Sequence, residues 1–215
     1  MKILLVAATR FEIEPFLSKF AFTDEQSDRV VGKHLVKVLI TGVGMVPTAF
    51  SLGKHLSGIS YGLAINAGIA GSFDFNLALG EVCIVAEDVF AELGAEDGEE
   101  FLSIDDLGFG ESRQLPNFPD SGVLTPLNLK QVKAITVNKV HGNKLMIAKT
   151  IARFNPKIET MEGASFFYAC NQTATPCIQI RAISNYVERR NREKWNIGLA
   201  VKNLNDKIIQ LLDNK

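Results

Sequence analysis

The sequence predicts a single α/β domain built on a mostly parallel sheet. Short apolar runs such as Lys2–Ala8, His34–Thr41 and Cys177–Ser184 are typical of strands that are buried on both faces. Between these runs lie segments whose apolar residues recur at helical spacing, and strands that alternate with helices indicate an α/β fold. The chain has 215 residues, of which 47% are apolar, and this is enough for one domain with a sizeable core.

The N-terminal part of the chain contains four predicted strands and two predicted helices. After the strand Lys2–Ala8, Thr9 is the predicted N-cap of a helix that extends to about Phe20, with Glu12 in its first turn. The following elements are an irregular or weakly extended region (Phe22–Gly32), a strand (His34–Thr41), a turn (Gly42–Gly44), a helix (about Met45–Leu56), a strand (Leu63–Asn66), a glycine-rich loop (Asn66–Ser72) and a strand (Glu81–Glu87).

The segment Asp88–Asn128 is rich in Asp, Glu, Gly and Pro, and its apolar residues have no sustained period. Because loops of this length in a compact domain are usually functional, we expect it to cover a site or to meet a partner subunit, within one domain that spans residues 1–215. The C-terminal part then contains a strand (Ala134–Val140), a helix (Lys144–Arg153), a strand ending near Met161, a helix (Ser165–Cys170), a strand (Cys177–Ser184) and a closing helix (about Glu193–Leu212).

Composition excludes several classes of protein. The net charge of −1 and the pI near 6.3 do not favour a nucleic-acid partner, and no apolar stretch approaches the ~18 residues of a membrane span. Motifs of zinc metalloproteases, α/β-hydrolases and P-loop proteins are missing from the sequence. Three cysteines without CxxC spacing are predicted to be small buried hydrophobic residues. The sequence therefore predicts a cytoplasmic protein without a membrane segment.

Several polar side chains follow predicted strands. Glu162 stands where a strand meets a helix, and ligands of open α/β sheets bind at the carboxyl ends of strands. A carboxylate there can hold two neighbouring sugar hydroxyls, although it could instead only favour the positive N-terminus of its helix. Glu12 follows the first strand, the glycine loop Gly68–Gly71 follows the third, and Asn185 ends the late strand unless it is a helix N-cap. Together they form a candidate site of two carboxylates, one amide and a backbone-rich loop.

A dinucleotide fingerprint is a competing interpretation of Gly42-Val43-Gly44, which follows a strand and opens a helix. Pro47 replaces the third glycine of that fingerprint, and no acidic residue that could bind a ribose lies near position 64. A tight strand-to-helix turn explains these residues better than a dinucleotide site does.

Five motifs in this order, Glu12, Thr41–Gly44, Asn66–Gly71, Thr160–Ala164 and Arg181–Asn185, carry a resemblance that covers nearly the whole chain. The chain resembles the purine nucleoside phosphorylase/hydrolase superfamily, in particular its methylthioadenosine/S-adenosylhomocysteine nucleosidase branch. Through MEGASFFYAC and RAISNYVERRNREKW it is most similar to the futalosine hydrolases of that superfamily. The resemblance implies a single-domain three-layer α/β/α sandwich around a mixed, largely parallel sheet. It also implies a homo-oligomer that needs no cofactor or metal.

The resemblance also implies roles for individual residues. Glu12 matches the carboxylate that activates the attacking water, Met161 lies against the ribose, and Glu162 holds the ribose hydroxyls. These roles agree with the chemistry, because glycosidic cleavage passes through an oxocarbenium-like state that a nearby carboxylate attracts. Gly71, Ile69 and His141 are further predicted substrate contacts. Arg181, in mid-strand, is predicted to support the site by pairing with a carboxylate, with Glu12 as the first candidate and a structural pair elsewhere in the chain as the alternative.

Two positions depart from the adenine-cleaving nucleosidases. Those enzymes carry Asp where this chain has Asn185, and an amide cannot deliver a proton, but its two N–H donors suit N7 and O6 of a 6-oxopurine. Ile69 stands where the nucleosidases usually have a serine beside the ribose and the water. The nearest candidate cations for the carboxylate on the futalosine tail are Arg189, Arg190 and Arg192, of which at least two are expected to belong to a solvated charge run.

The expected function is hydrolysis of the N-glycosidic bond of futalosine, with release of hypoxanthine, in menaquinone biosynthesis. The alternatives are a methylthioadenosine/S-adenosylhomocysteine or aminodeoxyfutalosine nucleosidase and a purine nucleoside phosphorylase. The phosphorylase is disfavoured because no arginine set for phosphate is evident. A nucleoside-binding module without catalysis and a dinucleotide oxidoreductase are more remote alternatives.

Overall fold

The computed structural model describes residues 1–23, 27–118 and 127–213, which form a nine-stranded mixed sheet with helices on both faces. The strands are β1 (Lys2–Ala7), β2 (Arg29–Val31), β3 (His34–Ile40), β4 (Leu63–Ser72), β5 (Val82–Phe90), β6 (Gly94–Asp97), β7 (Glu100–Ser103), β8 (Arg113–Gln114), β9 (Lys130–Thr136), β10 (Ile158–Thr160) and β11 (Cys177–Tyr186). The helices are α1 (Arg10–Lys19), α2 (Met45–Leu56), α3 (Lys144–Phe154), α4 (Gly163–Gln172) and α5 (Ile197–Leu212).

The strand order along the sheet is β10-β9-β5-β11-β4-β1-β3-β2, with β8 beside β5, while β6 and β7 form a separate hairpin. Five of the strand pairs in the large sheet are parallel, which confirms the predicted mixed, largely parallel sheet. Strand β10 also pairs antiparallel with the end of β4, so the strands β4, β11, β5, β9 and β10 close into a ring. This ring brings the ends of β10 and β11 to the same part of β4.

Two hydrophobic cores cover the two faces of the sheet. Alternate residues of β1 face opposite cores: Ile3 and Leu5 pack on the side of α1 and α5, whereas Leu4 and Val6 pack on the side of α2 and α4. A strand covered on both faces has no polar face, and this explains its continuous apolar run. The three cysteines are buried and free, as predicted.

The glycine-rich segment after Asn66 is not a loop. Strand β4 continues to Ser72, and Gly68 and Gly71 lie inside it. Its first half is hydrogen-bonded between β1 and β11 and its last residues between β11 and β10, so pairing on both sides outweighs the low strand propensity of glycine. The prediction of a backbone-rich loop at this position was therefore wrong.

Other boundaries also differ from the predictions. Strand β9 begins at Lys130 and ends at Thr136, before the predicted end at Val140, and α5 begins at Ile197 because Asn196 caps it by accepting from the N–H of Leu199. A short 3-10 turn (Arg192–Lys194) precedes that cap. In the predicted excursion 88–128, the described residues include the end of β5, the β6–β7 hairpin and β8, while residues 119–126 lie outside the described part. Nowhere in the described chain is there a helix long and apolar enough to span a bilayer.

The first helix is interrupted by Pro15, and a side chain of α5 repairs the interruption. Proline inside a helix distorts the hydrogen-bond ladder of the preceding turn. The fully buried amide of Asn205 donates to the carbonyl of Glu12 (2.9 Å) and accepts from the N–H of Phe16 (3.0 Å). These two groups would bond to each other in an uninterrupted helix. Asn205 therefore holds the backbone of Glu12 in place.

Replacing Asn205 by Leu should destabilise the protein by about 1–3 kcal/mol for each backbone group of α1 that loses its partner. The free energy of unfolding in urea measures this loss. Asn203→Leu is the matched control on the same helix, because the half-buried Asn203 amide donates to the carbonyl of one described residue, Gly80 (2.8 Å). Equal losses of unfolding free energy in the two variants would show that the hydrogen bonds of Asn205 next to Pro15 stabilise the protein no more than the single hydrogen bond of Asn203 does.

Candidate active site

One cavity of about 380 Å³ lies at the carboxyl ends of β1, β4, β10 and β11. Seven of the predicted site residues line it, namely Glu12, Ile69, Gly71, His141, Met161, Glu162 and Asn185. The strands β1, β4 and β11 are parallel and present their carboxyl ends at the same edge of the sheet, and the antiparallel pairing of β10 with the end of β4 brings Met161 and Glu162 to that edge. A larger depression of about 720 Å³ beside α5 is lined by two acids, each of which is paired with a lysine: Glu81 with Lys130 (2.6 Å) and Asp206 with Lys202 (2.7 Å).

Glu12 is fixed at the cavity by three hydrogen bonds. One carboxylate oxygen, Oε2, accepts from the backbone N–H (3.0 Å) and the hydroxyl (2.9 Å) of Thr9, in a capping box at the start of α1. The other, Oε1, accepts from the backbone N–H of Ile69 (3.1 Å). Ile69 thus contributes a backbone donor where its side chain has no polar group. The carboxylate is 7% exposed, so its remaining access is to the cavity.

Glu162 is the N-cap residue of α4, but its side chain makes no hydrogen bond to that helix. The N–H groups of Gly163 and Ala164 are instead bonded by the hydroxyls of Thr160 (3.2 Å) and Thr136 (2.8 Å). Oε1 of Glu162 accepts from the backbone N–H of Gly44 (3.0 Å), a residue 118 positions earlier. The carboxylate therefore belongs to the cavity, and the view that it only favours its own helix is not supported.

The turn Gly42–Gly44 has a defined part in this arrangement. Gly44 adopts φ = 101°, a backbone conformation that glycine allows at no steric cost. In this conformation its N–H points to Glu162. The turn therefore serves to orient a carboxylate.

Burial raises the pKa of Glu162, while the positive charge of Arg181 and the hydrogen bond from Gly44 lower it, and the charge of Glu12 raises it further. The net direction is upward from 4.5. Burial dominates because a carboxylate loses most of its hydration in the cavity wall.

We expect kcat/KM to fall as the pH is lowered through a midpoint above 4.5, because protonated Glu162 is neutral and cannot attract a developing cation. The measurement is a pH–rate profile from about pH 4 to pH 8, with circular dichroism at each pH as a control for folding. A profile that stays flat down to pH 4.5 would contradict this prediction.

Arg181 lies beneath the cavity and is fully buried. Its Nε donates to Oε1 of Gln179 (2.8 Å), and Gln179 in turn donates to Oδ2 of Asp88 (3.0 Å). The predicted ion pair with Glu12 is not formed, because the guanidinium is anchored from below by this chain of hydrogen bonds. Its terminal nitrogens Nη1 and Nη2 are buried without a hydrogen-bond partner among the described residues. The positive charge of Arg181 acts to lower the pKa of Glu162 and of Asp88, but burial has the larger effect and raises both pKa values above their ordinary values.

Asp88 is a buried acid that the sequence analysis did not single out. Its Oδ1 accepts from the Thr136 hydroxyl (2.8 Å), and burial raises its pKa to about 6 against the lowering effect of its hydrogen bonds to Gln179 and Thr136. A Cβ on Gly163 would overlap Asp88 and Gln179, so glycine is needed where α4 begins. The signal in the sequence was an acid within an apolar strand.

Gly68 provides the space in which Arg181 and Glu12 approach each other. A Cβ at this position would lie 2.1 Å from Nη1 of Arg181 and 2.9 Å from Oε1 of Glu12. Because the Arg181 side chain is fully buried, it has little room to move away.

The substitution Gly68→Ala should therefore displace both charged groups and lower kcat by about 10²-fold, the size expected for a misplacement near 1 Å. Gly53→Ala is the control, because Gly53 is exposed in α2 and a Cβ there would contact nothing within 4 Å. Steady-state kinetics on both purified variants measure the effect. Wild-type kcat in Gly68→Ala would show that the glycine is not required for this geometry.

Asn185 is held in a defined orientation beside Gly71. Its amide nitrogen donates to the carbonyl of Tyr186 (3.1 Å), and its oxygen accepts from the hydroxyl of Ser184 (2.8 Å). Because a carbonyl can only accept, the amide nitrogen must lie on the side of Tyr186. One of the two N–H donors is thereby used within the protein, and one remains for a ligand. In this orientation one N–H donor of Asn185, rather than the predicted two, is available to the purine.

Glu159 is a buried acid in the cavity wall that was not predicted from the sequence. It is 3% exposed, and both of its carboxylate oxygens contact His141, through the backbone N–H (3.0 Å) and Nδ1 (2.6 Å). Nε2 of His141 lies 2.9 Å from the hydroxyl of Thr150. His141 thus lines the cavity, and both of its ring nitrogens are engaged.

Two of the three arginines suggested for the substrate tail line the cavity. Arg189 and Arg190 are exposed at its mouth, and the guanidinium of Arg190 lies 5.0 Å from the ring centroid of Trp195. Arg192 is in the 3-10 turn and does not line the cavity. In the described ranges, no group of three or more His, Cys, Asp or Glu is arranged to hold a metal ion.

Comparison with known proteins shows similarity over almost the entire chain. The sequence profile of the phosphorylase superfamily matches residues 2–213. The futalosine hydrolase of Thermus thermophilus is 31% identical over 214 residues, covering 97% of this chain and 94% of that protein. The futalosine hydrolase of Streptomyces coelicolor is 31% identical over 181 residues, covering 81% of this chain and 77% of that protein.

Solved structures with the same fold are also found. The native structure of futalosine hydrolase from Helicobacter pylori superposes with a TM-score of 0.81, covering 99% of this chain and 97% of that one. At 17% sequence identity, this similarity concerns the fold.

Proposed function

This chain belongs to the phosphorylase superfamily, and from that premise we propose that it hydrolyses the N-glycosidic bond of futalosine and releases hypoxanthine. The observation that carries the proposal is the convergence of Glu12, Glu162 and Asn185 on one cavity. Two carboxylates and one amide are the groups that water activation, cation stabilisation and purine binding require. The 31% identity to futalosine hydrolases supports the choice of substrate.

In the proposed reaction, Glu12 takes a proton from the attacking water. Its three hydrogen bonds hold the carboxylate in one orientation, with its free acceptor sites toward the cavity. A positioned general base of this kind contributes about 10²–10⁴-fold to the rate. Nη1 of Arg181, unpartnered among the described residues, and Oε1 of Glu12 both border the space that Gly68 leaves open, and this supports a role of Arg181 in holding the base and its water.

Glu162 acts on the sugar. As the glycosidic bond lengthens, positive charge develops on the ribose ring, and a buried carboxylate attracts that charge more strongly in the transition state than in the ground state. The same carboxylate can accept from the ribose hydroxyls, while Met161 packs against the ring from the adjoining position in the wall. The Gly44 N–H keeps the carboxylate in place.

The leaving base lies against Asn185. The free N–H of its amide can donate to N7 or O6 of a 6-oxopurine and stabilise the electron pair that the purine receives as the bond to the sugar breaks. The departing anion takes a proton from solvent water, and Glu12 returns to solvent the proton that it took from the attacking water. An amide holds the base by hydrogen bonding without transferring a proton, which supports hypoxanthine as the leaving group rather than adenine. The arginines that line the described cavity, Arg189 and Arg190, stand at its mouth, where they suit the carboxylate of the tail.

We further propose that the protein is a cytoplasmic homo-oligomer that serves menaquinone biosynthesis. Val46 and Phe50 are one helical turn apart on α2, are 76% and 72% exposed, and lie near Val43 at the cavity. Exposed apolar surface of this kind marks interaction sites. Sedimentation velocity of the purified protein tests the oligomer, and a monomer at micromolar concentration would contradict it.

The reaction is tested by incubating the protein with futalosine, with its 6-amino analogue and with methylthioadenosine, each with and without phosphate, and following the released base chromatographically. We expect hypoxanthine from futalosine at a rate that phosphate does not change. A requirement for phosphate would indicate a phosphorylase. Faster cleavage of methylthioadenosine or of the 6-amino analogue would indicate an adenine-specific nucleosidase.

A further inference from the structure

Glu159 has unused acceptor capacity inside the cavity. An ionised carboxylate has about four lone-pair sites, and His141 occupies two of them, one on each oxygen. Glu159 is 3% exposed and lines the same cavity as Glu12, Glu162 and Asn185. Burying a carboxylate is costly, so a buried acid with free acceptor sites facing a cavity suits a ligand that carries an N–H or O–H donor.

The register of the sheet places Glu159 opposite Asn185. Gly71 is the partner of Glu159 across the β4–β10 pair and of Asn185 across the β4–β11 pair. The position that a Cβ on Gly71 would take is 3.5 Å from Cγ of Glu159 and 3.2 Å from Nδ2 of Asn185. Because glycine leaves this position empty, an acceptor and a donor flank the same small opening.

We propose that Glu159 is a second base-reading residue, which accepts the N1–H of a 6-oxopurine while Asn185 donates to N7 or O6. This inference rests on the proposed function and names the contact that sets its base specificity. A 6-oxopurine carries a donor at N1 beside an acceptor at O6, whereas a 6-aminopurine carries a lone pair at N1. The lone pair would face an acceptor-only carboxylate, and a site with an unmatched buried polar group rejects such a ligand.

His141 acts in this arrangement as a positioning residue. Since a carboxylate oxygen accepts, Nδ1 is the donor to Glu159, and Nε2 is tied to the Thr150 hydroxyl. The imidazole is therefore held between Thr150 of α3 and Glu159 of β10 and fixes the orientation of the carboxylate. This assigns to His141 an indirect role in substrate binding.

The test compares kcat/KM for futalosine and for its 6-amino analogue in the wild type and in Glu159→Gln. We expect Glu159→Gln to lower the value for futalosine by about 10²-fold, because a charged hydrogen-bond acceptor is lost. Activity on the 6-amino analogue should be unchanged or higher, because the glutamine N–H can donate to the N1 lone pair. The ratio of kcat/KM for futalosine to kcat/KM for the 6-amino analogue should therefore fall by at least about 10²-fold.

Glu92→Gln is the matched control. Glu92 is exposed and accepts from the backbone N–H of Asn138 (2.7 Å) in the loop after β9, outside the cavity, so its substitution should leave the ratio unchanged. If Glu159→Gln lowers kcat/KM for both substrates by the same factor, Glu159 only supports the fold and the inference is wrong. Absence of hypoxanthine release by the wild type would instead contradict the proposed function.

A binding measurement on the wild type keeps the inference testable if Glu159→Gln does not fold. Hypoxanthine and 1-methylhypoxanthine differ only at N1, where a methyl group replaces the hydrogen that Glu159 is proposed to accept. We expect the methylated base to bind at least about 10-fold more weakly by calorimetry. Equal affinities would overturn the inference.

Discussion

Replacing Glu12 by Gln should lower kcat for futalosine by about 10²–10⁴-fold, with the fold intact. The amide cannot accept a proton from water at neutral pH, so the general base is removed. In the wild type, the two carboxylate oxygens of Glu12 accept from the backbone N–H groups of Thr9 and Ile69. In the glutamine variant an NH2 group takes the place of one of these oxygens, and because it cannot accept, one of the two hydrogen bonds is lost. Burst and steady-state kinetics of hypoxanthine release measure the loss.

Glu14→Gln is the control for this prediction. Glu14 lies two residues away on the same helix, pairs with Arg10 (2.9 Å) and is partly exposed, so its substitution should leave kcat within about twofold of the wild type. Thermal melting of both variants separates catalysis from stability. Should Glu12→Gln retain wild-type kcat, the water is activated by another group and the proposed mechanism fails.

Glu162→Gln should lower kcat by about 10²–10³-fold, the effect of removing one preorganised electrostatic contact to the transition state. The glutamine oxygen can still accept from the Gly44 N–H, so the side chain keeps its position while its charge is lost. Because the attraction to the cation grows as the bond breaks, kcat should fall more than KM rises.

The matched control for this second prediction is Glu81→Gln. Glu81 also accepts from a backbone N–H, that of Ala78 (2.9 Å), but lies far from the cavity. Its substitution removes the charge of a half-buried carboxylate, which is paired with Lys130 (2.6 Å), without touching the proposed site. A rise in KM with unchanged kcat in Glu162→Gln would show that the carboxylate binds the ribose equally in both states and does not stabilise the cation.

Elements with a strong local pattern were predicted well. Helix α2 begins at Met45 and ends at Leu56, as its spacing indicates, and β3 covers the predicted apolar run from His34. Glu162 was located at a strand-to-helix junction because such junctions have a local signature. The glycines of β4 misled the prediction, because glycine is typical of turns and only the neighbouring strands show that this segment is paired on both sides.

By itself, the sequence determined the α/β class, the order of the main strands and helices apart from β2, β6, β7 and β8, and the junction residues Glu12, Glu162 and Asn185. Periodicity and junction residues depend on near neighbours in the chain, and these are visible in one sequence. Only the tertiary structure decided that Arg181 donates a hydrogen bond to Gln179 and that Glu159 and Asn185 lie on either side of Gly71. Such contacts depend on which strands become neighbours, and strand order is set by packing over the whole domain rather than by local pattern.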